Sequence, residues 1–157
     1  MPMMQFFTDD LFEAGESHAA YEQYCTANRK RLLYCLLRIN HGMLPDHFFP
    51  SFDDAIGLHD ACLQNVDAEL PNVKLHLHGD NCGALREIFL HYTGVSKFSP
   101  IPDVLLADEP CSALMCHETT VVTDDKFNHK MLFASSDILS IDFTALGVRV
   151  VDHPLPS

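Results

Sequence analysis

The hydrophobic pattern of the chain changes period once, near Leu58, and that change splits it into a helical and a strand-forming part. Before it, Tyr21, Tyr24, Cys25, Leu32, Cys35, Leu36 and Ile39 recur at three-and-four spacing, which builds one apolar helix face. Leu33 and Leu37 widen that stripe beyond what an exposed helix carries. His41-Gly42, with Pro45 beyond, is a stop signal. The spacing predicts one long helix from about Ser17 to Ile39. A shorter start precedes it at Thr8-Asp9-Asp10, where a capping hydroxyl and two acids suit a helix N-terminus; Gly15 interrupts and Glu16-Ser17 restarts.

After Leu58 the period is two. Leu58 to Leu70 alternates imperfectly, leaving room for a bulge, and Pro71-Asn72 turns the chain. Val73, Leu75 and Leu77 then alternate with Lys74, His76 and His78, the cleanest strand in the protein. Gly79 to Gly83 is dense in turn residues. From Leu85 to Val95, Ile88, Leu90 and Tyr92 fall on one face, with Phe89, His91 and Thr93 on the other. Flanking glycines and hairpin-like spacing favour a strand there over a short helix. Ser99 to Asp103 reads as a loop, Val104 to Ala107 as a short strand, and Cys111 to Val122 as a longer one. Lys126 to Val151 reads as a closing hairpin: Phe127, His129, Met131 and Phe133 share a face, Ser135-Ser136-Asp137 turns, and Ile138 to Ala145 alternates again. The tail after Val151 is expected to fray.

The elements predict an α+β fold: one long N-terminal helix, then a mainly antiparallel sheet of about six to seven strands, as a sandwich or half-barrel, with the helix on one sheet face or end. Residues 1–157 form a single domain, helical over 1–42 and antiparallel β over 58–151. Between them, Met43 to Phe52 is a proline-punctuated connector whose phenylalanines either tuck under the sheet or form a contact surface.

Composition narrows the functional classes. A chain of 157 residues with 47% hydrophobic content builds one core and is not globally disordered. No run approaches the roughly 18 apolar residues of a membrane span. The first residues lack the basic, then apolar, pattern of a signal peptide, so a cytoplasmic protein is expected. Six cysteines without CxxC spacing are expected to be free thiols. The net charge of −12 argues against a nucleic-acid partner, because phosphate neutralisation needs a basic surface. It suits a basic protein partner, met by electrostatic steering. Arg29, Lys30, Arg31 and Arg38 hold four of the ten Lys and Arg residues and read as a solvated helix face.

Ten histidines raise the question of a metal. His76 and His78 share a strand face, and His91 on a neighbouring strand is a third candidate ligand if register allows, with Glu87 nearby. The alternative is that Lys74, His76 and His78 form only the polar face of an amphipathic strand. His59-Asp60 and Cys116-His117 are adjacent on strands, so their side chains point to opposite faces and form no dyad. His129, beside Met131 and Phe133, reads as a hydrogen-bonded core or rim histidine. Hydrolase, zinc-protease, dinucleotide and P-loop motifs are absent, and no catalytic residues are read. Asp53-Asp54, Asp108-Glu109 and Asp124-Asp125 sit in turn-like positions.

Leu58-His59-Asp60-Ala61 opening a strand, Phe89 to Val95 (FLHYTGV), and Phe127-x-His129 followed by Met131-Leu132-Phe133, a polar turn and Ile138 to Phe143 together resemble small bacterial β-rich families of unknown function. Some similar proteins look like toxin-neutralising immunity proteins. The likeness covers roughly residues 58–151 and implies a non-enzymatic fold with no active site to carry over. The leading expectation is thus an acidic protein-binding module, with no cofactor. Asp53, Asp54, Asp108, Glu109, Asp124 and Asp125 would supply charge, and Phe48 and Phe49 anchors. The alternatives are a metal-binding protein or metal-dependent enzyme using His76, His78 and His91 with a divalent transition metal, or an obligate homodimer paired through a sheet edge.

Overall fold

The computed structural model describes residues 3–8, 14–39, 60–81, 84–99 and 113–153. Among the described residues, two helices, α1 (Ser17–Ala27) and α2 (Arg29–Cys35), precede nine strands. A five-stranded sheet has the order β1-β9-β4-β3-β2, formed by β1 (Leu36–Ile39), β2 (Cys62–Glu69), β3 (Asn72–Asn81), β4 (Ala84–Thr93) and β9 (Ala145–His153). A four-stranded sheet has the order β5-β8-β7-β6, formed by β5 (Lys97–Ser99), β6 (Leu114–Thr123), β7 (Lys126–Phe133) and β8 (Ile138–Phe143). All pairings are antiparallel except β1 with β9.

Alternation decides which face of each sheet is dry. Val73, Leu75 and Leu77 on β3, Ile88, Leu90 and Tyr92 on β4, and Leu146, Val148 and Val150 on β9 are buried. They join Phe127, Met131 and Phe133 of β7 and Leu139, Ile141 and Phe143 of β8 in one continuous core between the sheets. Each such side chain contributes about 1.5–3 kcal/mol on leaving water. The opposite face of the five-stranded sheet carries the polar members of the same alternation, among them His76, His78 and Glu87.

The sheets are joined at two corners. At one, β4 runs through Gly94 into β5 while β8 runs through Thr144 into β9. The Thr144 N–H donates to Thr93 O (3.0 Å), and the Ser96 N–H to Asp142 O (3.0 Å). Gly94 has φ +63°, and a Cβ there would lie 2.1 Å from Thr144 Oγ1, so both conformation and space require glycine. At the other corner, the Asp60 N–H donates to Leu114 O and the Leu114 N–H to Ala61 O, both at 2.8 Å, with a bridge from Cys62 to Ala113.

Among the described strands β6 is last in its sheet, and α1 covers it. The Thr119 N–H donates to the Tyr21 hydroxyl (2.8 Å) and the Val121 N–H to the Tyr24 hydroxyl (2.7 Å). Two tyrosines one helical turn apart thus accept from alternate N–H groups of an edge that would otherwise offer them to another chain. Tyr21→Phe is expected to cost about 1–3 kcal/mol, because the buried Thr119 N–H loses its acceptor. Tyr24→Phe is expected to cost less, since Tyr24 is half-buried and water takes its place. Urea unfolding of the two variants checks this; equal, negligible losses would mean that the hydroxyls do not cap the edge.

Glu118, on the same strand, is fully buried. Its carboxylate accepts backbone N–H bonds from Gln5, from Phe6 (2.8 Å) and from Phe7 (3.4 Å). Phe6 packs on Tyr24 and Tyr21, with ring centroids 5.0 and 5.6 Å apart. The N-terminal segment is thereby fixed over α1 and β6.

Several expectations need correction. The single long helix is two short ones followed by a strand. Asn28 ends α1: both its N–H and its side-chain amide donate to Tyr24 O at 3.0 Å, closing the turn locally. Leu36–Ile39 then pairs with β9, and this tertiary ladder overrides the helical propensity of its leucines. The second helix therefore ends at Cys35. The closing hairpin is β7–β8 alone, because after Thr144 the chain leaves for the other sheet. The strand reaches His153, two residues past the expected fraying point. Asn81 is still in strand where a turn was expected from Gly79, and Lys97–Ser99 is a strand beside the expected loop. The stretch read as a strand over Val104 to Ala107 lies outside the described residues. Cys25 is a free thiol as expected, and burial pushes it up to about 11.

Candidate metal centre

The outer face of the five-stranded sheet is organised in rows by strand register. His78 of β3 faces Glu87 of β4, which faces Val151 of β9. One row along, His76 faces Phe89, which faces Arg149. Lys74, His91 and Gly147 form the row after that. The HxH spacing places both imidazoles on this face, and the antiparallel register brings Glu87 between them.

The resulting contacts are close. His76 Nε2 lies 2.9 Å from Glu87 Oε1 and His78 Nε2 lies 3.5 Å from the same oxygen. One ligand atom from each of His76, His78 and Glu87 falls within 4.8 Å of the others. The second carboxylate oxygen, Oε2, is 2.5 Å from His153 Nε2 on β9. The hydrogen bond from His153 foremost, with a smaller one from His76, holds the Glu87 carboxyl below its usual range, and desolvation only partly opposes this. The three side chains of the triad are roughly a quarter to a third exposed, so an ion can enter from solvent.

His76 is held from behind. Its ring stacks on Phe89 at 4.6 Å with an interplanar angle of 1°, and the Arg149 guanidinium lies 4.2 Å from the centroid of the same ring. Beside this stack the sheet face is hollowed into a depression of about 530 Å³, lined by Asn65, Asp67, Lys74, His76, His91 and Arg149 among others.

Of the three candidate histidines, the structure brings two together. His76 and His78 converge, but His91 does not join them. It pairs in register with Lys74, two rows from His78, and its Nε2 lies 3.3 Å from Asn72 Oδ1. The third group is Glu87, because residues 87, 89 and 91 share a face and the register puts residue 87 opposite His78. His153 was hidden by the expectation of a frayed tail; the alternation that puts Val148 and Val150 inward places Arg149, Val151 and His153 outward and was its only signal.

Of the acidic and aromatic residues expected to face a partner, Asp53, Asp54, Asp108, Glu109, Phe48 and Phe49 lie outside the described residues. Asp124 and Asp125 form the exposed turn between β6 and β7. Arg31 lies 3.5 Å from Asp124, and Asp125 accepts a hydrogen bond from Thr123 (3.0 Å). Both belong to a turn of the four-stranded sheet, whereas the histidine cluster lies on the five-stranded one.

A second polar group, unforeseen as a cluster, lies inside the core. His117 Nδ1 is 2.8 Å from His129 Nε2, and His129 Nδ1 is 2.5 Å from the Tyr92 hydroxyl. All three residues are buried, and burial pushes His129 down to about 3. The inward alternation of β7 had marked His129 as a core residue, while its partners come from other strands. Cys116 is half-buried on the face opposite the buried His117, so that pair forms no dyad.

No family model, curated protein or solved structure matches the chain. No helix among the described residues is long and apolar enough to cross a membrane.

Proposed function

We propose that this protein binds a divalent transition metal on the outer face of its five-stranded sheet, through His76 Nε2, His78 Nε2 and one Glu87 oxygen. The convergence of these three groups within 4.8 Å carries the reading. Two imidazoles and a carboxylate suit zinc and its first-row neighbours rather than calcium or magnesium, which prefer all-oxygen sites. Three protein ligands leave at least one coordination position to water or an exchangeable ligand. His153 acts from outside, fixing the carboxylate through its second oxygen. An ion here would act as a Lewis acid towards whatever takes the open position.

The test is zinc titration of tag-free protein by calorimetry, followed by elemental analysis. Near-stoichiometric binding is expected, weakened at least about 100-fold in the His76→Ala/His78→Ala variant and about 10- to 100-fold in His153→Ala. Equal zinc uptake by all three proteins would place the metal elsewhere and reject the site.

The acidic protein-binding reading, immunity-like in kind, stands second, supported by the net charge of −12 and the exposed Asp124-Asp125 turn. A pull-down with a basic bait, repeated with both aspartates reversed in charge, separates it from metal binding. Pairing of two copies along β2, an edge strand in the described sheet, is the homodimer version and is read by light scattering.

A further inference from the structure

The depression beside the histidine cluster differs in charge from the rest of the molecule. The chain has 22 acids against ten Lys and Arg residues. In this depression the lining holds Lys74 and Arg149 against a single acid, Asp67. Asp67 sits at the β2 end. A smaller adjoining hollow there is lined by Asp67, Glu69, Asn72, Lys74 and His91, so the acids gather on that side. The β9 end carries Arg149 and Gly147, and Gly147 raises no side chain above the sheet. The field in the hollow therefore runs from acidic at β2 to basic at β9, with the metal triad's His76 on its wall.

Arg149 is preorganised for an anion. Its guanidinium lies over the Phe89 ring, on which His76 also stacks, and this contact holds the charge at the wall of the depression. Adjacent strands are about 4.8 Å apart, so His76 on β3 and Arg149 on β9, two strands apart, are separated by about 10 Å of backbone. Side chains leaning toward the intervening Phe89 shorten that gap to the length of a small organic molecule.

We infer that the depression binds a small dicarboxylate, one carboxylate taking the open position on the metal held by His76, His78 and Glu87, the other held by Arg149, while Lys74 is opposed in register by Asp67. This rests on the metal reading above. Phe89 already packs against His76 and Arg149, so it acts as a spacer and support rather than as a stacking platform for the ligand. Asp67 repels the anion from the β2 end and fixes its direction.

Succinate is the probe, titrated by calorimetry into zinc-loaded and zinc-free protein, with zinc affinity measured separately for every variant. Binding is expected only with zinc present. Arg149→Gln should weaken it about 10- to 100-fold, as for the loss of a charge-assisted hydrogen bond, with zinc affinity unchanged, whereas Lys74→Gln should change it little. Acetate should bind more weakly than succinate and be insensitive to Arg149→Gln. Zinc bound normally but no succinate binding would overturn this inference and leave the metal site standing. Succinate binding of equal strength without zinc would overturn the bridged arrangement. Failure of zinc itself to bind at the triad would reject the metal reading, and the inference with it.

Discussion

Lowering the pH from 7 to 4 is expected to remove roughly 3 kcal/mol of the stability that His129 supplies by being buried neutral. In the unfolded chain this imidazole takes its proton near 6.5, whereas burial keeps it neutral in the fold until about 3. The unfolded state therefore binds more protons throughout that window. The contribution is complete above 6.5 and drains as pH falls toward 3. The Tyr92 hydroxyl and His117 hydrogen-bond to His129. Superimposed on this, a chain with a pI near 5.0 loses self-repulsion as pH falls to about 5 and regains it, now between positive charges, below that. The informative quantity is thus the difference between the parent protein and Tyr92→Phe/His129→Leu, in which the general charge effect cancels. Urea unfolding at both pH values should show the parent losing about 3 kcal/mol more than the variant. Equal losses would mean that His129 is not held neutral.

Glu118→Ala is expected to cost about 2–4 kcal/mol and to free the N-terminal segment. Three successive N–H groups, of Gln5, Phe6 and Phe7, lose their common acceptor. Water recovers part of that loss only if the segment lifts off, and then Phe6 and Phe7 leave the tyrosines of α1. Two readouts follow: faster limited proteolysis between residues 3 and 8, and a change in tyrosine emission, legible because the chain has no tryptophan. Glu118→Gln keeps an oxygen acceptor without charge and should fall between the two. Unchanged proteolysis and unchanged stability in Glu118→Ala would show that the carboxylate does not anchor the segment.

These two residues also show where sequence reading stops. The strands were visible because alternation of period two is a local property: Val73 to Leu77 and Phe127 to Phe133 mark their own buried faces. Register is not local. That Glu87 rather than His91 meets His78 depends on how β3 and β4 slide past one another, which alternation leaves undetermined by multiples of two. The HxH pair was legible, the third ligand only as a neighbour, and His153 not at all, since it comes from a strand 75 residues further along than His78. Glu118 reads as one more charge in a poorly alternating strand. It is buried because β6 is covered on both faces, one by the core and the other by α1 and the N-terminal segment. The helix was overread for a related reason. Leu32 to Ile39 has the composition of a helix, and only the ladder with β9 makes its last four residues a strand.

The corner at Gly94 and Thr144 has a consequence for how the molecule responds to a ligand. There two strands pass from one sheet to the other side by side, still hydrogen-bonded, and the bridge between Cys62 and Ala113 repeats the join elsewhere. The layers are thus a single ribbon doubled over, and local opening of one must tear the ladder it shares with the other. Binding energy gained on the outer face of one layer is consequently shared by linkage with amides of the opposite layer that no ligand touches.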